Sequence, residues 1–366
     1  MVRDPNPKTG RAMPSVVVKI GTSSVTDAEG GVDAAVLGAV AADVVDLRGS
    51  GWSVVVVTSG AITAGWAEVG AGRPRPRDAV TLQAVSAVGQ PLLMQAWRRA
   101  FAALGAPVGQ VLPAPLDFSH RGQYLHARDT LTALAGLGVV AVVNENDAVA
   151  DEEIRFGDND RLAALVANLV AATHLVLLTD TAGLLTADPR VDKGATLIEE
   201  VRAFDADLEA RAGSSRSGVG SGGMASKVAA AKMASWSGVT TVIAPARVEH
   251  ALAHALSGEP GVGTVVRPRA ARLSARKSWI AFAVPSRGRV AVNEGARRAL
   301  EEEGRSLLPV GVTAVEGEFA EGDAVEVVAP DGAVVAKGLA RVGASEFASA
   351  GVVVVHRDDL VLLRRG

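Results

Sequence analysis

The chain contains no cysteine, so disulfides, thiolate nucleophiles and cysteine-held metals are excluded together. Aromatic residues make up only 4% of it, with Tyr124 the single tyrosine, so the stacking platforms on which single-stranded nucleic acids rest are scarce. No run of about 18 apolar residues occurs, and no segment reads as a membrane span. The first thirteen residues carry charge, proline and glycine but no apolar signal core; they read as a disordered tail. An excess of one charge is lacking too: 37 basic against 40 acidic residues leave a net −3, with no global pull toward nucleic acid or an anionic membrane. These absences predict a cytoplasmic protein without a membrane partner.

What is present is a 366-residue chain, 48% hydrophobic, long enough for about two domains. Short, nearly all-apolar runs at Ser15–Ile20, Ser53–Val57, Val108–Leu112, Val139–Val143, Leu175–Leu178 and Thr240–Ile243 predict buried strands. Helical spacing lies between them at Asp33–Leu47, Ala79–Leu104, Gly122–Ala135, Asp160–Ala172 and Met224–Ser235. Pro91 is expected to kink or split the second of these helices. The alternation predicts an α/β fold, a mostly parallel sheet with helices on both faces. The pattern fades near Arg267. From Trp279 onward, runs at Val290–Val292, Val312–Val315, Val325–Val328, Val334–Lys337 and Val352–Val355, broken by Gly, Pro and Asp, predict a small β-rich domain.

Polar residues gather at the strand ends. Lys19, inside an apolar strand, either lines a site or runs its stem to an edge. Thr58-Ser59-Gly60, between a strand and a helix, is an anion-binding arrangement, although Ser59 alone could be a helix cap. Asn144, Glu145, Asn146 and Asp147 follow one strand, and Gly157, Asp158, Asn159 and Asp160 precede the next helix. Helix capping suits Asn159 and Asp160 but leaves the first cluster unexplained. Open α/β sheets bind ligands in this position, outside the carboxyl ends of their strands. Thr179-Asp180 ends a further strand. Arg73 to Arg77, RPRPR, reads as a solvated turn or as a lid over an anion. Residues 213–227 form a Gly- and Ser-rich loop that is not a P-loop, because Met224 stands where the lysine must be and no apolar strand precedes it. The loop delivers Lys227 into the first turn of a helix, against its dipole, and a broken local rule suggests a function.

Read in order, KIGTSS, VTSGAI, NENDAVA, GDND, LLTD, TADPR and SGGMASK resemble the amino acid kinase family, in the branch that phosphorylates glutamate, over residues 15 to about 268. Residues 292 to 319 resemble the start of a PUA domain. The resemblance implies a tail at 1–13, a kinase domain at 14–268, a linker at 269–277 and a shortened PUA-like domain at 278–366. It also implies transfer of the γ-phosphoryl group of ATP, with Mg²⁺, to the side-chain carboxylate of L-glutamate, the first step toward proline. Proline as feedback inhibitor and a homo-oligomer belong to the same implication.

Carried over by residue, Lys19 and Lys227 hold the phosphates and the transferring group, and Asp160 orients them. Ser59, Gly60, Asn144, Asp147 and Asn159 bind glutamate. Thr179, Asp180 and the loop Ser221, Gly222, Gly223, Met224, Ala225, Ser226 and Lys227 bind ATP together with Lys19. No metal is held by the protein itself. Two alternatives stand beside this reading: another amino acid kinase, such as an acetylglutamate or aspartate kinase, and an RNA-binding or regulatory sensor. The basic stretch Arg267, Arg269, Arg272, Arg276 and Lys277 favours the sensor, or is a solvated linker. Against an RNA role, Arg341 to Glu346 runs almost directly into the last strand, where the resemblance implies a longer segment.

Overall fold

In the computed structural model of the protein, residues 13–70, 72–149, 159–189, 191–204, 208, 223–349 and 353–363 are described. The expected tail up to residue 12, Gly157, Asp158, Ser221 and Gly222 lie outside them. The chain divides into two compact units, Met1–Ala114 with His126–Arg269, and Pro115–Leu125 with Ala270–Gly366.

The first unit is built on eight strands: β1 (Ser15–Ile20), β2 (Ser53–Val57), β3 (Val108–Val111), β4 (Val140–Val143), β5 (His174–Thr179), β6 (Glu200–Val201), β7 (Thr240–Pro245) and β8 (Thr264–Val266). Their order is β3-β4-β2-β1-β5-β7-β8-β6. Every pairing is parallel except β7 with β8, so the expected mostly parallel sheet is the one found. The chain builds outward on one side of β1 and then returns to its other side with β5. Strand order therefore reverses at β1, and the polar strand ends converge there.

Successive strand residues face opposite ways. Val16, Val18 and Ile20 of β1, with Val54 and Val56 of β2, join a core shared with α2 (Ala34–Gly49) and α4 (Ala79–Ala102). Asp33, the residue before α2, caps it by accepting from Ala35 N and Val36 N, both at 3.2 Å. The opposite face, which Val17 and Lys19 share, is covered by α7 (Asn159–Leu169), whose Leu162, Leu165 and Val166 are buried.

Of the two outcomes expected at Pro91, a kink or a split, the split does not occur. Helix α4 runs unbroken from Ala79 to Ala102 because tertiary packing outweighs the one hydrogen bond that proline removes: Leu93, Met94, Trp97 and Phe101 are all buried beyond it. Helix α3 (Ala61–Val69) crosses α4 where two glycines meet. A Cβ on Gly89 would overlap the Ala61 carbonyl, and one on Gly65 would overlap the Val85 carbonyl. Neither backbone can yield without parting the helices. Gly89→Ala is expected to cost about 3 kcal/mol of unfolding free energy, the upper range for overpacking; a denaturation midpoint equal to wild type would contradict this.

The second unit is a five-stranded sheet of β9 (Ser286–Val292), β10 (Val312–Glu316), β11 (Ala324–Val328), β12 (Val334–Ala340) and β13 (Val355–Leu362), ordered β10-β9-β11-β12-β13. Four of the expected runs lie within strands. The last is corrected: β13 starts at Val355 and runs to Leu362, and Val352 lies outside the described residues. Residues expected in a linker are partly structured, since Ala275–Phe282 is a helix that Ser274 caps. The same unit includes Pro115–Leu125, held by the Trp279 Nε1 hydrogen bond to Phe118 O at 2.8 Å and by Arg121 lying 5.4 Å from the ring centres of both Tyr124 and Trp279.

Candidate active site

Lys19 is the residue that the strand pattern could not explain, and the fold answers it. Its side chain is only 3% exposed, under α7, and its Nζ lies 2.6 Å from Asp160 Oδ1. Lys227, from the helix Met224–Trp236, approaches the other oxygen, Nζ to Oδ2 at 3.1 Å. Asp160 is fully buried. Burial alone would push its carboxyl upward, but the charges of Lys19 and Lys227, and hydrogen bonds from both, outweigh it and hold the group down at about 2. Two ammonium groups share one carboxylate, so the trio carries a net +1 in a desolvated place. An anion is the ligand that such a charge suits.

The second group of residues forms around Asn159. Its Nδ2 donates toward Thr58 O at 2.9 Å, Ser59 Oγ at 2.8 Å and Asn144 Oδ1 at 2.9 Å. These partners tie the ends of β2 and β4 to the start of α7. Asn159 is thus not a side-chain cap: its Oδ1 is buried with no hydrogen-bond partner among the described residues. Ser59 is not a cap either, since Gly60 holds that place. Gly60 has φ +110, and a Cβ there would lie 2.8 Å from Val25 Cγ2, so glycine is required by both conformation and space. The carbonyl of Gly60 accepts from Ala64 N at 2.9 Å inside α3. No side chain caps this helix start, and unpaired first-turn amides suit an anion.

Three residues of this network were not singled out by sequence reasoning. Ser86 Oγ donates to Asp147 Oδ2 at 3.0 Å, Gln90 Oε1 accepts from Asn144 Nδ2 at 2.7 Å, and Trp97 Nε1 donates to Thr58 Oγ1 at 3.1 Å. All three stand on α4. The signal was there: Ser86 and Gln90 are polar residues one turn apart, within a helix otherwise read for its apolar stripe.

On the other side of β1, Thr179 ends β5, is buried, and donates from Oγ1 to Asp180 Oδ1 at 3.1 Å. Gly223 precedes the helix that Met224 and Ala225 begin. Ser226 Oγ lies 2.9 Å from Asp160 Oδ2 and 2.8 Å from Gly223 O. With a single proton it serves one acceptor at a time, so Ser226 braces Asp160 as well as the loop end. Among the described residues no group of three or more His, Asp or Glu is gathered to hold a metal ion, and no helix is long and apolar enough to cross a membrane.

Two basic stretches look different in three dimensions. Arg73 donates to Gly70 O at 2.9 Å and Val69 O at 2.5 Å and stacks on Trp66, so it closes the end of α3 and is not available as a lid. In the later stretch, Arg267 pairs with Glu200 at 2.6 Å, Arg269 stacks on Trp236 at 4.3 Å, Arg276 pairs with Asp359 at 2.7 Å, and Lys277 donates to Arg357 O at 3.1 Å. Four of the five cations that favoured an RNA-binding reading are engaged within the protein.

A site of paired lysines, one from a parallel strand and one from a helix start, sharing a buried carboxylate beside polar strand ends suits a phosphotransferase. The model of the amino acid kinase family matches residues 14–244 and that of the PUA domain residues 288–357; the chain belongs to the amino acid kinase family. Among its relatives it is 44% identical to the glutamate 5-kinase of Pelobacter propionicus over 369 residues, 96% of this chain and 98% of the relative. It is 46% identical to the glutamate 5-kinase of Burkholderia multivorans over 342 residues, 93% and 90% of the two chains. Within the family, then, it groups with the glutamate 5-kinases. A solved structure, described as X-ray structures of isopentenyl phosphate kinase, superposes with a TM-score of 0.50 at 19% identity, over 69% of this chain and 99% of that one. That likeness concerns the fold alone.

Proposed function

We propose that the protein transfers the γ-phosphoryl group of ATP to the side-chain carboxylate of L-glutamate, giving glutamyl 5-phosphate and ADP. The observation that carries this reading is the buried Asp160 carboxylate bridging Lys19 and Lys227, at 2.6 and 3.1 Å, beside the Ser59–Asn144–Asn159 cluster. A carboxylate with an ordinary pKa near 4.3 is already ionised at pH 7, so the acceptor needs no general base. The glutamate oxygen forms the new P–O bond, the bond to the β-phosphate oxygen breaks, and ADP departs with the electron pair. The protein's share is to bring two anions together and neutralise charge as it shifts. In this reading Lys19 and Lys227 do that at the transferring group and Asp160 fixes their positions. Ser59, Gly60, Asn144, Asp147 and Asn159 hold glutamate, while Thr179, Asp180 and the loop from Ser221 to Lys227 hold ATP. Asp160 is taken up by two lysines and no acidic cage is gathered among the described residues. Mg²⁺ bound with the nucleotide would add charge neutralisation at the phosphates.

The same proposal makes the product the first committed intermediate toward proline. Proline carries the ammonium and α-carboxylate of glutamate and would inhibit at or near that subsite. With ATP and glutamate as substrates, a cytoplasmic homo-oligomer completes the reading, divided into a kinase domain and a shortened PUA-like domain.

The test is ATP- and Mg²⁺-dependent acyl phosphate formation, trapped as hydroxamate, with L-glutamate, N-acetyl-L-glutamate and L-aspartate compared. Product from glutamate alone is expected. Product from one of the others instead would move the chain to another branch of the family, and no product from folded, ATP-binding protein would sink the enzyme reading.

A further inference from the structure

Carboxamides have two ends that differ only in hydrogen-bond character, and their partners decide which way each points. Here one backbone atom decides for three side chains. Thr58 O can only accept, so the Asn159 atom 2.9 Å from it is the nitrogen. The same nitrogen faces Asn144 at 2.9 Å, so Asn144 presents its oxygen. Asn144 must then turn its nitrogen the other way, where Gln90 Oε1 receives it at 2.7 Å. Gln90 is the far anchor of the series. Without it, nothing on the α4 side favours the observed orientation of Asn144.

The consequence appears at the other end. Asn159 nitrogen has three acceptors for two hydrogens, which leaves Asn159 Oδ1 as an acceptor that is buried and has no hydrogen-bond partner among the described residues. A buried acceptor held in this way calls for a donor from a ligand, and the ammonium group of an amino acid supplies three N–H bonds. One turn earlier on α4, Ser86 donates to Asp147 Oδ2 at 3.0 Å, holding a carboxylate that can take the same positive group. Both α4 residues keep their register because the helix is locked to α3 at Gly89 and Gly65.

Resting on the function proposed above, we propose that Gln90 and Ser86 are positioning residues of the amino-acid subsite: Gln90 sets the orientation of the Asn144–Asn159 pair, and Ser86 that of Asp147. Neither touches the transferring group, so their influence belongs to amino-acid binding and not to ATP.

The test compares Gln90→Met, Gln90→Glu and Ser86→Ala with the wild-type chain. It reads the KM for glutamate and for ATP, kcat, the melting temperature, and glutamate binding by calorimetry. Gln90→Met keeps the volume and removes the acceptor, and is expected to raise the glutamate KM and Kd about tenfold, the loss of one buried hydrogen bond. Gln90→Glu retains an acceptor for Asn144 Nδ2 and should stay within about twofold of wild type. Ser86→Ala should resemble Gln90→Met, with ATP KM unchanged in all three. An unchanged glutamate KM and Kd in Gln90→Met would overturn the inference. So would equal losses in both Gln90 variants with ATP KM and melting temperature moving in step, the mark of general packing. Wild-type protein that binds glutamate without phosphorylating it would sink the proposed function yet leave this inference testable by calorimetry; wild-type protein that does not bind glutamate would overturn both.

Discussion

Lys227→Met is expected to lower kcat by about 10²- to 10³-fold, the usual cost of losing one preorganised charge stabiliser, while the melting temperature holds or rises. The two effects have one cause. In the folded protein, Lys19 and Lys227 share Asp160 at 2.6 and 3.1 Å, and all three side chains are at most 6% exposed. Taking the second ammonium away leaves a neutral pair, Lys19 with Asp160, in place of a trio with an excess charge. Removing one member of a buried ion pair is costly when it leaves an uncompensated charge, and here Asp160 keeps Lys19 at 2.6 Å, so that cost does not arise. Methionine fills the space of the lysine stem, so no cavity offsets the gain, as it would with alanine. Stability conceded to charge in this way is the ordinary signature of a functional site. Single-turnover rates with saturating ATP and glutamate, beside a thermal melt, read both quantities. Wild-type kcat would remove Lys227 from charge stabilisation. A fall of several degrees in melting temperature would mean that the second ammonium supports the fold.

How much of this was legible beforehand differs by level. The parallel sheet could be read because strands buried on both faces are nearly all apolar, and runs such as SVVVKI and SVVVV are unmistakable in that respect. The strand ends could be read because Asn144 to Asp147 and Thr58 to Gly60 interrupt apolar runs with groups that must be hydrogen-bonded or used. The trio was half legible. Lys19 is anomalous within its own strand and Lys227 at its own helix start, but that Asp160 answers both depends on bringing together three segments up to 208 residues apart, from Lys19 to Lys227. Spacing carries no such information. Pro91 does not split its helix in two, because losing one hydrogen bond weighs less than the packing of Leu93, Trp97 and Phe101 beyond it. Ser86 and Gln90 were overlooked for a related reason, since a helix read for its apolar stripe conceals a short polar one. The basic stretch at 267–277 looked like free charge because its partners Glu200, Trp236 and Asp359 are remote in sequence.

Asp160→Asn should be the most damaging change at the site, because it reverses the logic of Lys227→Met. Asp160 is the carboxylate that both lysines reach, and its removal leaves two buried ammonium groups beside a neutral amide. Breaking a buried ion pair by deleting one partner costs about 3–5 kcal/mol, and with both lysines released from their positions kcat should fall at least as far as in Lys227→Met. The double variant Lys227→Met/Asp160→Asn then separates charge from geometry. With one ammonium left instead of two it should be more stable than Asp160→Asn alone, yet equally inactive, a non-additivity expected of groups in direct contact. Acid supplies an independent check. The folded-state pKa of Asp160 is depressed from 3.8 to about 2, so as pH falls the unfolded chain takes up this proton first. The stability that Asp160 contributes is therefore complete above about pH 4 and is lost as pH falls toward about 2. Asp160→Asn has no such proton to take up. Denaturant unfolding of both proteins across that range should show the gap between them closing as the solution becomes more acid. A gap that stayed constant from pH 4 to pH 2 would mean that the carboxylate is not held ionised by the two lysines, and the orienting role assigned to it would fall with that.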